Sequence, residues 1–594
     1  MSSHSIDVNP LCPPRDVWFT ESQSVVGSSS SGQDVGARRV VSRIASTKVG
    51  PGTALVGRVL RKVDPLGLVD AAVRVGVRIP VRELPRTAAT LGTDLAKITI
   101  GKSTIAPEPK DWRFAHRAWK DNFAFRRLGQ TYLAWSQVPL TLVEASSVDW
   151  RTKERARLAA NLLTSALAPT NALFLNPEAL SRAFDTGGRS VLAGATNIGH
   201  DIRTHKGLPR TADPHAHQVG RDVGVTPGSV VFRNEVCELL QYQPSTDVVR
   251  TTPVVLVPPQ INKYYFMDMA PGRSLIEYSL SQGLQMFVIS WRNPTAEHRH
   301  WDLDTYVAGV EEAMRAAALI AGTEQVNTIS LCAGGITTAA LLGRLATLGD
   351  PLINCATFAV TLLDFSVPTM IGMFGSPTIV SNARAAAQRR GVLPAHESEA
   401  IFCLLRPNDL IWNYWVRSNL LGEQPPAFDV LSWNADPTRL PAGLHLDFLD
   451  IFEHNTLAKG KRTVLGTQVD LGKVSCDTFV VGARNDHLTA WKACYATTGL
   501  LGGDSQFALS TSGHIQSLVN PPGNPKMSVS LGPALESDPE RWLTGAETIP
   551  GSWWEPWARW ESARSGELRP APARLGHPCH PVLYAAPGEY VLAP

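Results

Sequence analysis

Net charge is nearly absent from this sequence: 594 residues carry a formal +3, which excludes a chain held to nucleic acid by an extended basic face. A local basic site for an anionic substrate stays open. Long apolar runs are absent as well. No stretch reaches the ~18 uninterrupted apolar residues of a membrane span, and Met1 to Pro10 is polar, without the charged-then-apolar pattern of an export signal. We expect a soluble, cytoplasmic protein that could still adhere to an apolar surface. Cysteine is sparse: Cys12, Cys237, Cys332, Cys355, Cys403, Cys476, Cys494 and Cys579 form no C-x-x-C pair, which argues against a disulfide framework or a zinc site and fits a reducing compartment. His298 with His300, and His577 with His580, are short-spaced pairs without partner ligands. They read as surface residues, so no metal and no cofactor is expected. No repeat period is evident.

What is present divides along the chain. Residues 1–50 include Gly27-Ser28-Ser29-Ser30-Ser31-Gly32 and few large apolar side chains, the composition of a loose or disordered segment. A helical amino-terminal domain is expected over 51–219, because Trp112, Phe114, Trp119, Phe123, Phe125, Leu128, Tyr132 and Trp135, then Leu158, Leu162, Leu163 and Leu167, recur at helical spacing. From residue 220 to 594 the pattern is short apolar runs separated by helices: Pro253–Val257, Met286–Ser290, Thr328–Leu331, Cys355–Val360 and Thr478–Val481. Continuous apolar strands alternating with helices, one of them around Tyr306 to Ala321, predict a parallel sheet covered on both faces. The interval between Val360 and Thr478 is too long for a crossover and is broken by Pro407, Pro425, Pro426 and Pro437. It predicts a cap, about 365–470, over the carboxyl edge of the sheet, where α/β sites lie. Trp542, Trp553, Trp554, Trp557 and Trp560 near the carboxyl end read as core or partner packing.

Within this frame Thr328-Ile329-Ser330-Leu331-Cys332-Ala333-Gly334-Gly335 joins a strand to a helix-forming stretch. A nucleophile elbow needs small residues two before and two after the nucleophile, because the turn is tight and the side chain must project from it. Ser330 and Gly334 meet that need, and Cys332 takes the nucleophile position. The thiol would stand at a helix amino end, where the macrodipole favours thiolate. An acid and a histidine should follow, each after a later strand. Thr478–Val481 runs into Gly482-Ala483-Arg484-Asn485-Asp486-His487, and Phe507–Ser510 runs into Thr511-Ser512-Gly513-His514. The order Cys332, Asp486, His514 is that of an α/β-hydrolase, with His514 taking the thiol proton and Asp486 fixing its tautomer. His487 is the rival base and Asp364 the rival acid; Cys355 and Cys476 read as small buried hydrophobes. For the oxyanion hole, Ala333 supplies one N–H, and the loop after the first strand supplies the second from Gln260 or Ile261, with Ile261 preferred, since Pro258 and Pro259 have none to give. Lys263, Arg292 and Lys526 could meet phosphates of a carrier or be plain surface or structural cations. Substrate-binding residues are otherwise left unassigned.

Several longer runs then become recognisable. Pro258–Tyr265, Ile289-Ser290-Trp291-Arg292-Asn293-Pro294, Arg406-Pro407-Asn408-Asp409-Leu410-Ile411-Trp412-Asn413-Tyr414, Trp433-Asn434-Ala435-Asp436, Ser512–Pro525 and Gly551-Ser552-Trp553-Trp554 resemble the polyhydroxyalkanoate synthases, from about residue 110 to the carboxyl end. The resemblance implies an α/β-hydrolase fold with an inserted cap. It also implies that Cys332, Asp486 and His514 polymerise (R)-3-hydroxyacyl-CoA into polyester with release of CoA, in a bacterial homodimer on the surface of the granule it makes. The single-subunit, class II-like members are the nearest in these motifs. Where the family usually has glycine this chain has Ser330. Two other functions fit parts of the pattern: a cysteine thioesterase or polyester depolymerase using the same triad with water as acceptor, and a non-catalytic granule-associated protein.

Overall fold

The computed structural model describes residue 64 and residues 66–213 and 216–593; the loose segment expected over 1–50 lies outside them. The elements below all belong to the unit Leu66–Pro594. The expected amino-terminal helical region is present, with α1 Leu68–Arg78, α2 Glu83–Thr99, α3 Phe123–Ala145, α4 Trp150–Ala166 and α5 Arg189–Thr204. Local chemistry starts α3 and α4: the Asn122 side chain accepts from the N–H groups of Ala124 and Phe125, and Asp149 accepts from Thr152, so each satisfies donors that a helix start leaves open. Phe114, Trp119 and Tyr132 are buried together, the first two edge to face at 5.0 Å. The aromatic and leucine stripe is not wholly core. Phe123, Leu163 and Leu167 are exposed while Leu158 is buried, because Leu163 stands five residues beyond Leu158 and so falls on another face of α4.

An eleven-stranded sheet follows. Its strands are β1 Gly228–Arg233, β2 Cys237–Tyr242, β3 Val254–Val257, β4 Met286–Trp291, β5 Val326–Leu331, β6 Ile353–Ala359, β7 Asp477–Ala483, β8 Ser505–Ser510, β9 Ser528–Pro533, β10 Glu547–Pro550 and β11 Tyr584–Ala585. The spatial order is β10-β9-β8-β7-β6-β5-β3-β4-β2-β1-β11. The apolar runs of the sequence are the parallel centre, β4, β3, β5, β6, β7 and β8. An all-parallel sheet was expected, and the flanks differ: β2 and β1 on one side, β9 and β10 on the other, pair antiparallel. Buried polar groups hide β2 from a hydrophobicity reading. Glu238 is fully buried, accepting from the Tyr584 hydroxyl and from the N–H groups of Glu589 and Tyr590 at 3.1 Å each. Helices α6 Leu303–Ala321 and α7 Ala333–Leu348 cross between strands. Among the described residues no helix is long and apolar enough to cross a membrane.

Between β6 and β7 the chain builds α8 Pro377–Arg390, α9 Ala395–Leu405, π-helical turns at Asn408–Trp412 and Trp415–Leu420, and α10 Ala442–His454. The amino-terminal helices grip this insertion. The Arg151 guanidinium donates to the carbonyls of Phe365, Gly372 and Phe452 at 3.2, 3.1 and 2.8 Å. The Asn197 amide donates to Ser418 at 2.9 Å, and the Trp415 indole to Asn171 at 3.0 Å. At Gly194 the approach is so close that a Cβ would come within 2.0 Å of the Asn419 carbonyl oxygen.

After β8 come α11 His514–Leu518 and α12 Trp554–Ser562. Trp553, Trp554 and Trp557 are fully buried against the sheet. Their indoles donate to the carbonyls of Ser517 and Leu518 at 2.7 and 3.2 Å and to the Thr357 hydroxyl at 3.0 Å. Two of the three therefore hold the end of α11, the helix that starts at His514. Trp557→Ala should destabilise the protein by about 3–5 kcal/mol, read as a lowered thermal midpoint. Trp557→Phe, which keeps most of the packing and loses the N–H, should lower it less.

Candidate active site

Cys332 sits between β5 and α7 with φ 49 and ψ −119. A non-glycine residue held there stores ~1–3 kcal/mol of backbone strain and persists only where its surroundings enforce it. They do. The Cys332 N–H donates to Ala359 at 3.0 Å, and the Cys332 carbonyl accepts from the Gly335 N–H at 3.0 Å and the Thr361 hydroxyl at 3.2 Å. A Cβ on Gly334 would lie 2.5 Å from the carbonyl oxygens of Val257 and Pro258, and one on Gly335 would lie 2.3 Å from Thr361 Oγ1. The first turn of α7 is thus pressed between the ends of β3 and β6, which only a glycine pair permits. Ser330, the departure from the family pattern, fits: it is buried, and its hydroxyl donates to Thr338 Oγ1 on α7 at 2.8 Å.

The expected acid and base meet. His514 Nδ1 lies 2.6 Å from Asp486 Oδ2, with side-chain exposures of 8% and 0%. Asp486 also accepts from the N–H groups of Leu488 at 2.8 Å and Thr489 at 3.0 Å and from the Thr489 hydroxyl at 2.6 Å. Burial pushes this carboxyl up, but the His514 charge and these hydrogen bonds outweigh it and hold it below the usual carboxylate range. For His514, burial pulls the pKa down; the Asp486 carboxylate, by charge and hydrogen bond, and then the nearby Cys332 sulfur reverse this and raise it to about 10. The ring is hydrogen-bonded to the carboxylate on one side and feels the Cys332 sulfur on the other, an order of groups in which an imidazole could take a proton from a thiol and return it to a leaving group.

The rivals stand elsewhere. Asp364 accepts from the Asn455 amide at 2.7 Å and the Ser366 N–H at 2.8 Å. His487 is pushed down to about 4 by burial and the nearby Arg406 charge, so it stays neutral. Cys355 is buried and Cys476 mostly so, and burial raises both thiols, Cys476 to about 11. Cys332 is half-buried. Ala333 opens α7, with its N–H beside the sulfur-bearing residue. Ile261 lies in the loop after β3, and that loop is stitched to the insertion between β6 and β7: Thr438 donates its hydroxyl to Gln260 O at 2.7 Å and its N–H to Ile261 O at 3.1 Å. Lys263 is engaged in the same seam. Its side chain is 8% exposed and pairs with Asp436 at 2.8 Å, and its carbonyl accepts from the Trp433 indole at 2.8 Å. Arg292 lies over the Tyr590 ring and Lys526 is exposed. His298 accepts from the Thr295 N–H at 2.9 Å and packs on Trp301, and His577 and His580 face each other through backbone hydrogen bonds.

Thr489 was not singled out in the sequence, although it stands three residues after Asp486, the spacing at which a hydroxyl can turn back onto a carboxylate. Thr489→Val should lower kcat by roughly tenfold to a hundredfold with KM for the acyl substrate little changed. A raised folded-state pKa means that His514 protonation stabilises the fold fully below ~6.5 and that this contribution fades as pH rises through the raised value. In histidine-labelled protein followed by NMR, Asp486→Asn should move the His514 titration to lower pH, and Cys332→Ala should move it the same way by less. A titration unmoved by Cys332→Ala would count against contact between the ring and the sulfur.

Comparison with known proteins shows the family. The family described as Poly-beta-hydroxybutyrate polymerase (PhaC) N-terminus matches residues 110–279, and the alpha/beta hydrolase fold matches 253–521. Poly(3-hydroxyalkanoate) polymerase 2 of Ectopseudomonas oleovorans is 43% identical over 92% of this chain and 98% of its own length. Polymerase 1 of the same organism is 42% identical over 90% and 95%. The Poly(3-hydroxyalkanoate) polymerase subunit PhaC of Cupriavidus necator is 37% identical over 83% and 85%. With the α/β-hydrolase fold around its strained cysteine, the chain belongs to the poly(3-hydroxyalkanoate) polymerase family.

Proposed function

We propose that this protein is an acyltransferase that polymerises (R)-3-hydroxyacyl-CoA into polyhydroxyalkanoate with release of CoA, using Cys332 as nucleophile, His514 as base and acid, and Asp486 to hold His514. The observation that supports it is the buried Asp486–His514 pair, hydrogen-bonded at 2.6 Å, with the Cys332 sulfur near enough to raise the pKa of the ring, in a chain of this family. The Cys332 thiolate attacks the thioester carbonyl carbon, and the oxyanion is met by N–H groups, for which Ala333 and Ile261 are the proposed donors. The carbon–sulfur bond to CoA then breaks and His514 gives its proton to the departing thiolate. The acyl chain is left as a thioester on Cys332. His514 next takes the proton from the 3-hydroxyl of an incoming unit as that oxygen attacks the chain, the bond to Cys332 breaks, and the thiolate is restored.

Sulfur suits repeated transfer, because a thioester remains activated towards a hydroxyl whereas a serine-held chain would be an ordinary ester. Water must stay out, and the cap proposed for about 365–470 serves that end. We further propose a division into a helical domain over 51–219 and a catalytic domain over 220–594, with the protein a cytoplasmic homodimer at the polyester granule surface. Exposed Phe174, Phe184 and Leu192 on the helical region support an apolar contact there.

Purified protein given 3-hydroxybutyryl-CoA and longer homologues should release CoA and form polymer. Free hydroxy acid without polymer would overturn this in favour of a thioesterase. Cys332→Ala should cut CoA release by at least about 10³-fold, and Cys332→Ser should release no more than roughly one CoA per active site. Unchanged release from Cys332→Ala would remove the nucleophile assignment.

A further inference from the structure

Far along the helical region from these steps in sequence, the carboxyl end of α5 gathers three potential metal ligands. His200, Asp201 and His205 each offer one ligand atom, and these atoms lie within 4.8 Å of one another, the one such group among the described residues. Their spacing, two adjacent residues and a third at the helix cap, is none of the paired patterns that mark a zinc site in a sequence. The helix end produces it: His205 leaves the helix at φ −123 and ψ 20, which turns its ring back towards His200 at a centroid separation of 6.4 Å. A single hydroxyl, Thr204 Oγ1, stands 3.0 Å from His200 Nδ1 and 2.6 Å from His205 Nδ1.

Asp201 supplies the second, independent sign. It is 2% exposed; Oδ1 accepts from Arg210 Nε at 3.1 Å, and Oδ2 is buried with no hydrogen-bond partner. A carboxylate oxygen withdrawn from water and left unpaired is costly, and a bound cation is one of the few things that repays its burial. The two imidazoles, by contrast, are exposed, so an ion can reach the cluster from solvent.

We propose that His200, Asp201 and His205 form a binding site for a divalent ion of the zinc type. Two imidazole nitrogens and a carboxylate oxygen suit such an ion, whereas calcium or magnesium would call for a shell of oxygens. Arg210 on the far carboxylate oxygen and Thr204 between the rings are the outer partners that orient the ligands. The ion would tie the last turn of α5 to the segment that leaves it. That helix holds the cap through Asn197, and the adjoining Lys206 Nζ lies 2.6 Å from His396 Nε2 on α9, so the site stands on the arm that joins the helical region to the cap.

The test uses untagged full-length protein carrying Cys332→Ala, which removes the active-site sulfur as a competing ligand. Titration with cobalt(II), and with zinc(II) by calorimetry, should give about one equivalent bound and d–d absorption without thiolate-to-metal charge transfer. Adding His200→Ala and His205→Ala should weaken binding by at least tenfold, while the metal-free circular dichroism and melting stay unchanged, since both rings are exposed. His205→Gln alone should weaken it in the same direction. No uptake by the parent, or uptake that survives the double substitution, overturns the site. Polymerase activity is not the readout, so failure here leaves the Cys332 assignment untouched.

Discussion

Backbone meets backbone where α7 leaves the nucleophile turn, and the rest of the catalytic region depends on that approach. With no side chain at 334 or 335, the helix start can lie against the carbonyls that end β3 and the threonine that follows β6. The turn at Cys332 is bonded on both sides, so a strained φ becomes the conformation the surroundings dictate rather than one they tolerate. The same contact brings three strand ends to one edge, and the loops that carry Asp486 and His514 follow the next two strands along, β7 and β8.

Placing an ion pair beside that turn is expensive, since burial opposes the charge on both partners. Asp486 offsets it with two backbone N–H groups, the Thr489 hydroxyl and the His514 ring. Behind the histidine, the Ser517 hydroxyl donates to the His514 carbonyl at 2.8 Å, and the indoles of Trp553 and Trp554 hold the last two carbonyls of that short helix, those of Ser517 and Leu518. A five-residue helix would not be stable alone; here its end is fixed by residues from the carboxyl-terminal part of the chain. The aromatic cluster is thus packing that also fixes the helix on which His514 stands.

What the sequence made legible follows from which interactions are local. The buried parallel strands announce themselves as apolar runs, and Cys332, Asp486 and His514 each lie just after one, so strand order alone proposes them, and the fold does bring Asp486 and His514 together. The flanking strands stayed hidden because β2 carries Glu238 and Gln241 inward, each satisfied by groups more than 300 residues away. Lys263 could be read as a phosphate contact only until Asp436, far along the chain, was seen to neutralise it. Exposure of Phe123 and Leu167 was likewise beyond a spacing argument, which assigns residues to helix faces without saying what covers each face. The metal cluster escaped for the same reason: its geometry comes from a helix end, which ligand spacing does not encode.

The seam between the insertion that follows β6 and the loop after β3 carries a mechanical implication. Thr438, Asp436 and Trp433 bind Gln260, Ile261, Lys263 and Tyr265 through hydrogen bonds and an ion pair. Any displacement of the insertion from this edge would therefore tug the very segment that faces the start of α7. On the proposed reading, in which this insertion is a cap and Ile261 an oxyanion donor, admission of a bulky acyl chain and readiness of the groups that meet its carbonyl would be geared together.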